Sequence, residues 1–172
     1  MSDAGRILVV DDDEAQLKLL HTVLEAEGWK VLPCLSGRQA LELLDAGEEV
    51  DVIISDLMMP EMDGRALLAA AQERRPEVPF ILMTAYATVD SAVEALHAGA
   101  FHYLAKPTKL PELRIVVQRA RETTETQREL AQRMHAYFDR VADPRWDLWK
   151  GGTSKTGLMM PKLFDHPGPT RP

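Results

Sequence analysis

Residues 50–64 read VDVIISDLMMPEMDG. Val52, Ile53 and Ile54 form a short β-branched run, the composition of a strand buried on both faces. Asp56 stands where that strand should end. Met58, Met59 and Pro60 follow, and then Asp63-Gly64, a turn signal. In an open α/β sheet, ligands bind in the crevice outside the carboxyl ends of the strands. A carboxylate there is either a chemical group or a cap for the next helix, and these fifteen residues alone weigh the two readings evenly.

Working outward from this stretch, the same unit recurs. Upstream, Arg6 to Val10 is a short apolar strand followed at once by Asp11, Asp12, Asp13 and Glu14. A helix from about Glu14 to Glu27 carries Leu17, Leu20, Val23 and Leu24 on one side, with Gly28 as its stop. Trp29 to Pro33 reads as a strand, and Ser36-Gly37 opens a helix with Ala40, Leu43 and Leu44 inward, ended by Gly47. Downstream, a helix over Arg65 to Arg74 carries Leu67, Leu68 and Ala71. Pro79 to Met83 is the fourth strand, with Thr84-Ala85 at its end. A helix from about Thr88 to His97 stops at Gly99, Ala100 to Ala105 is the fifth strand before Lys106-Pro107, and Leu110 begins a fifth helix. Five strands alternating with five helices predict an α/β protein: a flavodoxin-like, doubly wound (βα)5 unit with a parallel sheet in the order 2-1-3-4-5 and right-handed crossovers.

The chain has 172 residues, 45% hydrophobic and 27% charged, enough for one domain and an appendage. Its formal charge of -7 is unevenly spread. Residues 1–120 hold 11 Lys/Arg and 20 Asp/Glu, while residues 121–172 hold 9 and 7. An acidic main domain argues against non-specific nucleic-acid binding, which depends on neutralising phosphates. One cysteine, Cys34, excludes an internal disulfide and reads as a small buried hydrophobe. No apolar run approaches membrane-spanning length and the N-terminus is polar, so a cytoplasmic protein without a membrane partner is expected.

Asp11 and Asp12 follow the first strand, Asp56 ends the third, Thr84 the fourth and Lys106 the fifth. In the order 2-1-3-4-5 these five side chains converge on one pocket. Three carboxylates at close quarters repel and demand a counter-charge. Oxygen-only ligands with open positions suit a hard cation, Mg²⁺ above all with Mn²⁺ as an alternative. Lys106 offers a compact positive charge and Thr84 a hydroxyl.

The stretches ILVVDDD, DLMMPEMDG, MTAYAT and YLAKP, in this order and spacing, resemble the receiver domain of two-component response regulators over residues 5–121. Residues 90–107, DSAVEALHAGAFHYLAKP, resemble receivers of the nitrogen-regulatory, sigma-54-activator branch. The resemblance implies that Asp56 accepts a phosphoryl group from a sensor histidine kinase or a histidine phosphotransfer protein. It makes Asp12 a direct metal ligand, Asp11 a ligand through water, and adds Asp56 and the backbone carbonyl of Met58. Lys106 and the backbone N–H groups of Leu57 and Ala85 hold phosphoryl oxygens, while Thr84 and Tyr103 are the switch pair. Such a protein is a signalling phosphoacceptor rather than an enzyme, limited to Mg²⁺-dependent self-phosphorylation and slow autodephosphorylation. Slowness is expected because Met58 and Tyr86 flank the site, and neither orients an attacking water as an acid or amide does.

From Leu113 a seam recurs at 3–4 spacing: Val117, Ala120, Thr124, Gln127, Ala131, Met134, Phe138 and Val141. Glu112 to Ala142 is therefore expected as one extended helix, with residues 1–121 the receiver and 122–142 a coiled-coil extension that pairs two copies. Residues 143–172 lack periodicity and are expected to be largely disordered. Trp146, Trp149, Leu158 and Phe164 are read there either as a docking peptide or as a loose tail that packs on the receiver. No DNA-binding helix pair or ATPase is legible, so output is expected by protein contact through the fourth helix, fifth strand and fifth helix. The alternative is a short DNA-binding or partner-recruiting output in residues 122–172.

Overall fold

Parallel strands β1 (Arg6–Val10), β2 (Lys30–Cys34), β3 (Val52–Asp56), β4 (Phe80–Thr84) and β5 (His102–Ala105) alternate with five helices in the computed structural model, which describes residues 5–141. The helices are α1 (Glu14–Ala26), α2 (Gly37–Asp45), α3 (Gly64–Arg74), α4 (Val89–His97) and α5 (Leu110–Val141). The sheet order is β2-β1-β3-β4-β5, as the alternation predicts. Register decides where the polar residues fall. Val10 pairs with Ser55, Asp56 with Met83, and Thr84 with Ala105. The carboxyl ends of β1, β3, β4 and β5 therefore finish along one edge of the sheet.

Both faces of the sheet are covered, which explains the unbroken apolar runs. Leu8, Val10, Ile53, Phe80 and Leu82 pack with Leu41, Leu44, Leu67 and Leu68 on one side. Ile7, Val9, Ile54, Ile81, Met83 and Leu104 pack with Leu17, Leu24, Leu113 and Val117 on the other. Cys34 is fully buried in the first layer, and burial pushes its thiol up to about 12.

Helix boundaries follow local chemistry. Asp13, Ser36, Asp63 and Thr88 each cap a helix by accepting backbone N–H groups. Asp13 and Glu14 are helix-start charges, as their place outside the site motif suggested. Gly28, Gly47 and Gly99 end α1, α2 and α4 with φ of 90°, 83° and 100°, a region costly for other residues. β5 begins at His102 rather than Ala100, because the Ala100 N–H is held by the Ala95 carbonyl in the end of α4. β2 is displaced by one residue from the expected span, and Pro33 is tolerated there because β2 is an edge strand.

α5 departs most from expectation. Leu113, Val117, Ala120 and Thr124, the first half of the seam, are buried among the described residues of the same chain. Thr124 is no weak point in a coiled coil. Its Oγ1 donates to the Asp51 carbonyl at 2.7 Å, just ahead of β3. Arg128 pairs with the Asp51 carboxylate, whose second oxygen accepts the Arg6 N–H at 2.7 Å. The compact unit that holds the sheet ends at Ala131. The expectations for residues 143–172, including Trp146, Trp149, Leu158 and Phe164, lie outside the described residues. Among those described, no helix is long and apolar enough to cross a membrane.

Candidate functional site

Asp56 is not the cap of α3. That role belongs to Asp63, whose carboxylate accepts the Ala66 N–H at 2.8 Å. Asp56 is left at the end of β3 with its side chain only 12% exposed. Gly64 makes this arrangement fit. A Cβ at Gly64 would sit 2.5 Å from the Asp56 carbonyl oxygen and 2.9 Å from the Leu57 Cα. The sequence marked Gly64 as a turn residue; its actual task is to let α3 start against the backbone of the site.

Asp11, directly after β1, is almost fully buried. One of its oxygens accepts the Asp13 N–H at 2.9 Å, and the other accepts Lys106 Nζ at 2.9 Å. Lys106 Nζ is also 3.4 Å from Asp56 Oδ2. One ammonium thus bridges two carboxylates brought from strands 95 and 50 residues away in sequence. Asp12 is exposed, yet ligand oxygens of Asp11, Asp12 and Asp56 all lie within 4.8 Å of one another. Three carboxylates against one ammonium leave the cluster net negative. Hard oxygen donors with a charge deficit are the donor set that a divalent cation such as Mg²⁺ takes.

Burial raises the Asp56 pKa above its usual value, and the Asp11 charge adds to the rise. Lys106 and the Met58 backbone N–H oppose it without cancelling it. For Lys106, burial alone would lower the pKa. The bond to Asp11 and the charges of Asp11 and Asp56 outweigh that and hold it above its ordinary value. Lys106 and the carboxyl groups of Asp11, Asp12 and Asp56 surround an open cavity of about 340 Å³.

Thr84 and Ala85 line this cavity with Met58 and Tyr86. Thr84 is buried, and its Oγ1 accepts the Tyr86 N–H at 3.2 Å, a bond that uses a lone pair and not the hydroxyl proton. Tyr103 is partly buried on β5, outside the cavity lining, with its hydroxyl 2.7 Å from Ser91 Oγ on α4. One expected role needs correction. The Leu57 N–H donates to the Met83 carbonyl at 2.8 Å, because the β3–β4 ladder continues one residue beyond Asp56. The next N–H, that of Met58, is the backbone group that favours the charged Asp56 carboxylate. Which of two successive amides is spent on a ladder depends on register, and no residue type signals it.

A family profile described as response regulator receiver domain matches residues 7–118. The regulatory protein AtoC of Escherichia coli (strain K12) is 42% identical over 130 residues, covering 76% of this chain and 28% of AtoC. The DNA-binding transcriptional regulator NtrC of the same strain is 41% identical over 116 residues, covering 67% of this chain and 24% of NtrC. These relatives agree with the resemblance to the nitrogen-regulatory branch. The chain spans about a quarter of the length of these curated relatives. A response regulator receiver domain protein from Clostridium thermocellum, solved as a crystal structure, is 30% identical with a TM-score of 0.68, covering 72% of this chain and 98% of that one.

Proposed function

Since the chain belongs to the response regulator receiver domain family, we propose that Asp56 accepts a phosphoryl group from a phosphohistidine on a sensor kinase or a phosphotransfer protein. The observation that carries this reading is the Lys106 ammonium bridging Asp11 and Asp56 at the mouth of an acidic cavity. In the transfer, an Asp56 carboxylate oxygen forms a bond to phosphorus as the P–N bond of the donor breaks. The electron pair of that bond leaves with the imidazole nitrogen. Little else is demanded of the protein than alignment and charge balance.

Lys106 faces the incoming negative charge, joined by the N–H groups of Met58 and Ala85, the former in place of Leu57. Asp11, Asp12, Asp56 and the Met58 carbonyl are the groups that would hold Mg²⁺, which when bound supplies charge neutralisation on phosphoryl oxygens. Thr84 then turns its hydroxyl proton toward the phosphoryl group, and Tyr103 answers by favouring its inward position. Differential contacts of this kind are the only means by which phosphorylation shifts the population. The protein is on this reading a phosphoacceptor and not an enzyme in its own right.

The donor's docking surface is an apolar groove of about 420 Å³ lined by Leu19, Leu20, Val23 and Leu110. It shares Gln16, Ala85 and Lys106 with the acidic cavity, so a partner seated there reaches Asp56. Output passes through α4, β5 and α5, supported by Val89, Val93 and Leu96, which are exposed on α4. Two copies pair through the later turns of α5. A second reading, DNA binding through residues 122–172, draws on NtrC being named a DNA-binding regulator. An electrophoretic shift with the full chain but not with residues 1–131 would favour it.

The decisive test is mass spectrometry of the full chain after incubation with acetyl phosphate and Mg²⁺. An adduct of about 80 Da, absent from Asp56→Asn, is expected. An adduct that survives this substitution overturns the assignment.

A further inference from the structure

We propose that Ser91 is a positioning residue that holds Tyr103 inward and ties its position to the first turn of α4. The proposal rests on the switch role read above for Tyr103. α4 is nine residues long and only Ala95 among them is buried, so its start depends on its cap. That cap is a reciprocal box: Thr88 Oγ1 accepts the Ser91 N–H at 3.1 Å and Ser91 Oγ accepts the Thr88 N–H at 3.0 Å. The usual partner at this third helical position is Glu or Gln. Serine does the same work with a short side chain whose oxygen stays at the helix terminus, where Tyr103 reaches it from β5.

Four polar atoms crowd that one oxygen. Beside the Thr88 N–H stand the Thr88 carbonyl at 3.0 Å, the Thr88 hydroxyl at 2.9 Å and the Tyr103 hydroxyl at 2.7 Å. A serine hydroxyl has one proton and two lone pairs. The Thr88 N–H only donates and takes one lone pair; the Thr88 carbonyl only accepts and takes the proton. One lone pair remains for two hydroxyls. The phenol is the more acidic donor and stands closer, so Tyr103 occupies it in the inward position. When Tyr103 leaves, the Thr88 hydroxyl takes its place and the cap stays satisfied.

The first turn of α4 thus has two hydrogen-bonding arrangements, selected by where Tyr103 lies. A partly buried phenol gains from such a partner, since Tyr103 otherwise packs against the apolar layer that holds Ala95. The exposed Val89, Val93 and Leu96 ride on the same short helix, so the arrangement chosen at Ser91 reaches the output face.

The test is ¹⁹F NMR of the full chain labelled with 3-fluorotyrosine, with the Tyr103 resonance assigned by Tyr103→Phe. Without phosphodonor, Ser91→Ala is expected to move that resonance toward the position of the exposed Tyr86, while Ser91→Thr, which keeps the hydroxyl, leaves it in place. Thr88→Ala, which harms the same cap but spares the Ser91 oxygen, is expected to leave it in place as well. A Ser91→Ala resonance that does not move overturns the proposal. So does an equal movement in Thr88→Ala, which would trace the effect to cap loss alone, or in Ser91→Thr. The mass adduct on the same samples separates the two readings. Its absence from the unmodified chain refutes the phosphoacceptor, whereas the coupling of Ser91 to Tyr103 is read with no phosphodonor present.

Discussion

Asp56 and Lys106 both have raised pKa values, Asp56 because burial disfavours its charged form and Lys106 because Asp11 and Asp56 outweigh the lowering by burial. The raised pKa of Asp56 means that folding favours its protonated form. Its contribution is therefore stabilising below the unfolded value of about 4 and is lost as pH rises through the folded value. Asp56→Asn should accordingly raise the melting temperature at pH 7 without Mg²⁺, with the gain shrinking toward pH 4. A constant gain across that window would exclude charge as its cause. Lys106 has the same sign in a higher window: its raised pKa gives stability that is complete below about 10.4 and fades above the folded value. At pH 7 Lys106→Met should cost about 3–5 kcal/mol by urea denaturation, since it strands buried Asp11 without its partner. Gly64→Ala tests geometry rather than charge. Two backbone atoms stand in the way of the new Cβ, so α3 must shift. The expected loss is about 1–3 kcal/mol, accompanied by slower formation of the acetyl-phosphate adduct.

At the scale of elements, the first half of α5 completes the receiver. Thr124 and Arg128 both answer to Asp51, which also holds the Arg6 N–H at the start of β1. One loop residue therefore fastens the helix to the amino ends of two strands, opposite the phosphoacceptor edge. A fragment ending at residue 121 cuts this fastening, whereas one ending at 131 keeps it. The shorter fragment should melt below the longer one. Within the longer, Thr124→Val should cost about 1–3 kcal/mol, because it leaves the Asp51 carbonyl without its donor. Equal melting points for the two fragments would show that Asp51 contributes nothing. The periodicity of Leu113 to Val141 was legible as an apolar stripe, but a stripe does not say what it packs against. Leu113, Val117, Ala120 and Thr124 are buried within this chain's own receiver.

For the whole molecule, the exposed Met58 and Tyr86 at the cavity mouth predict a long-lived acyl phosphate, since neither activates water. Loss of the adduct within seconds of removing the phosphodonor would refute this. The alternation of five apolar runs with five amphipathic helices determined the sheet, its order and the edge on which Asp11, Asp12, Asp56, Thr84 and Lys106 meet. Those properties come from hydrophobic period and chain connectivity, which are written residue by residue. Only tertiary structure decided that Asp63 and not Asp56 caps α3, and that the Leu57 N–H is spent on the β3–β4 ladder while that of Met58 favours the charged carboxylate. It alone made Gly64 a contact point and Thr124 a buried fastener. It alone joined Ser91 to Tyr103. Each of these depends on which atom of a distant element arrives within about 3 Å, a distance that hydrogen bonds demand and sequence spacing does not encode.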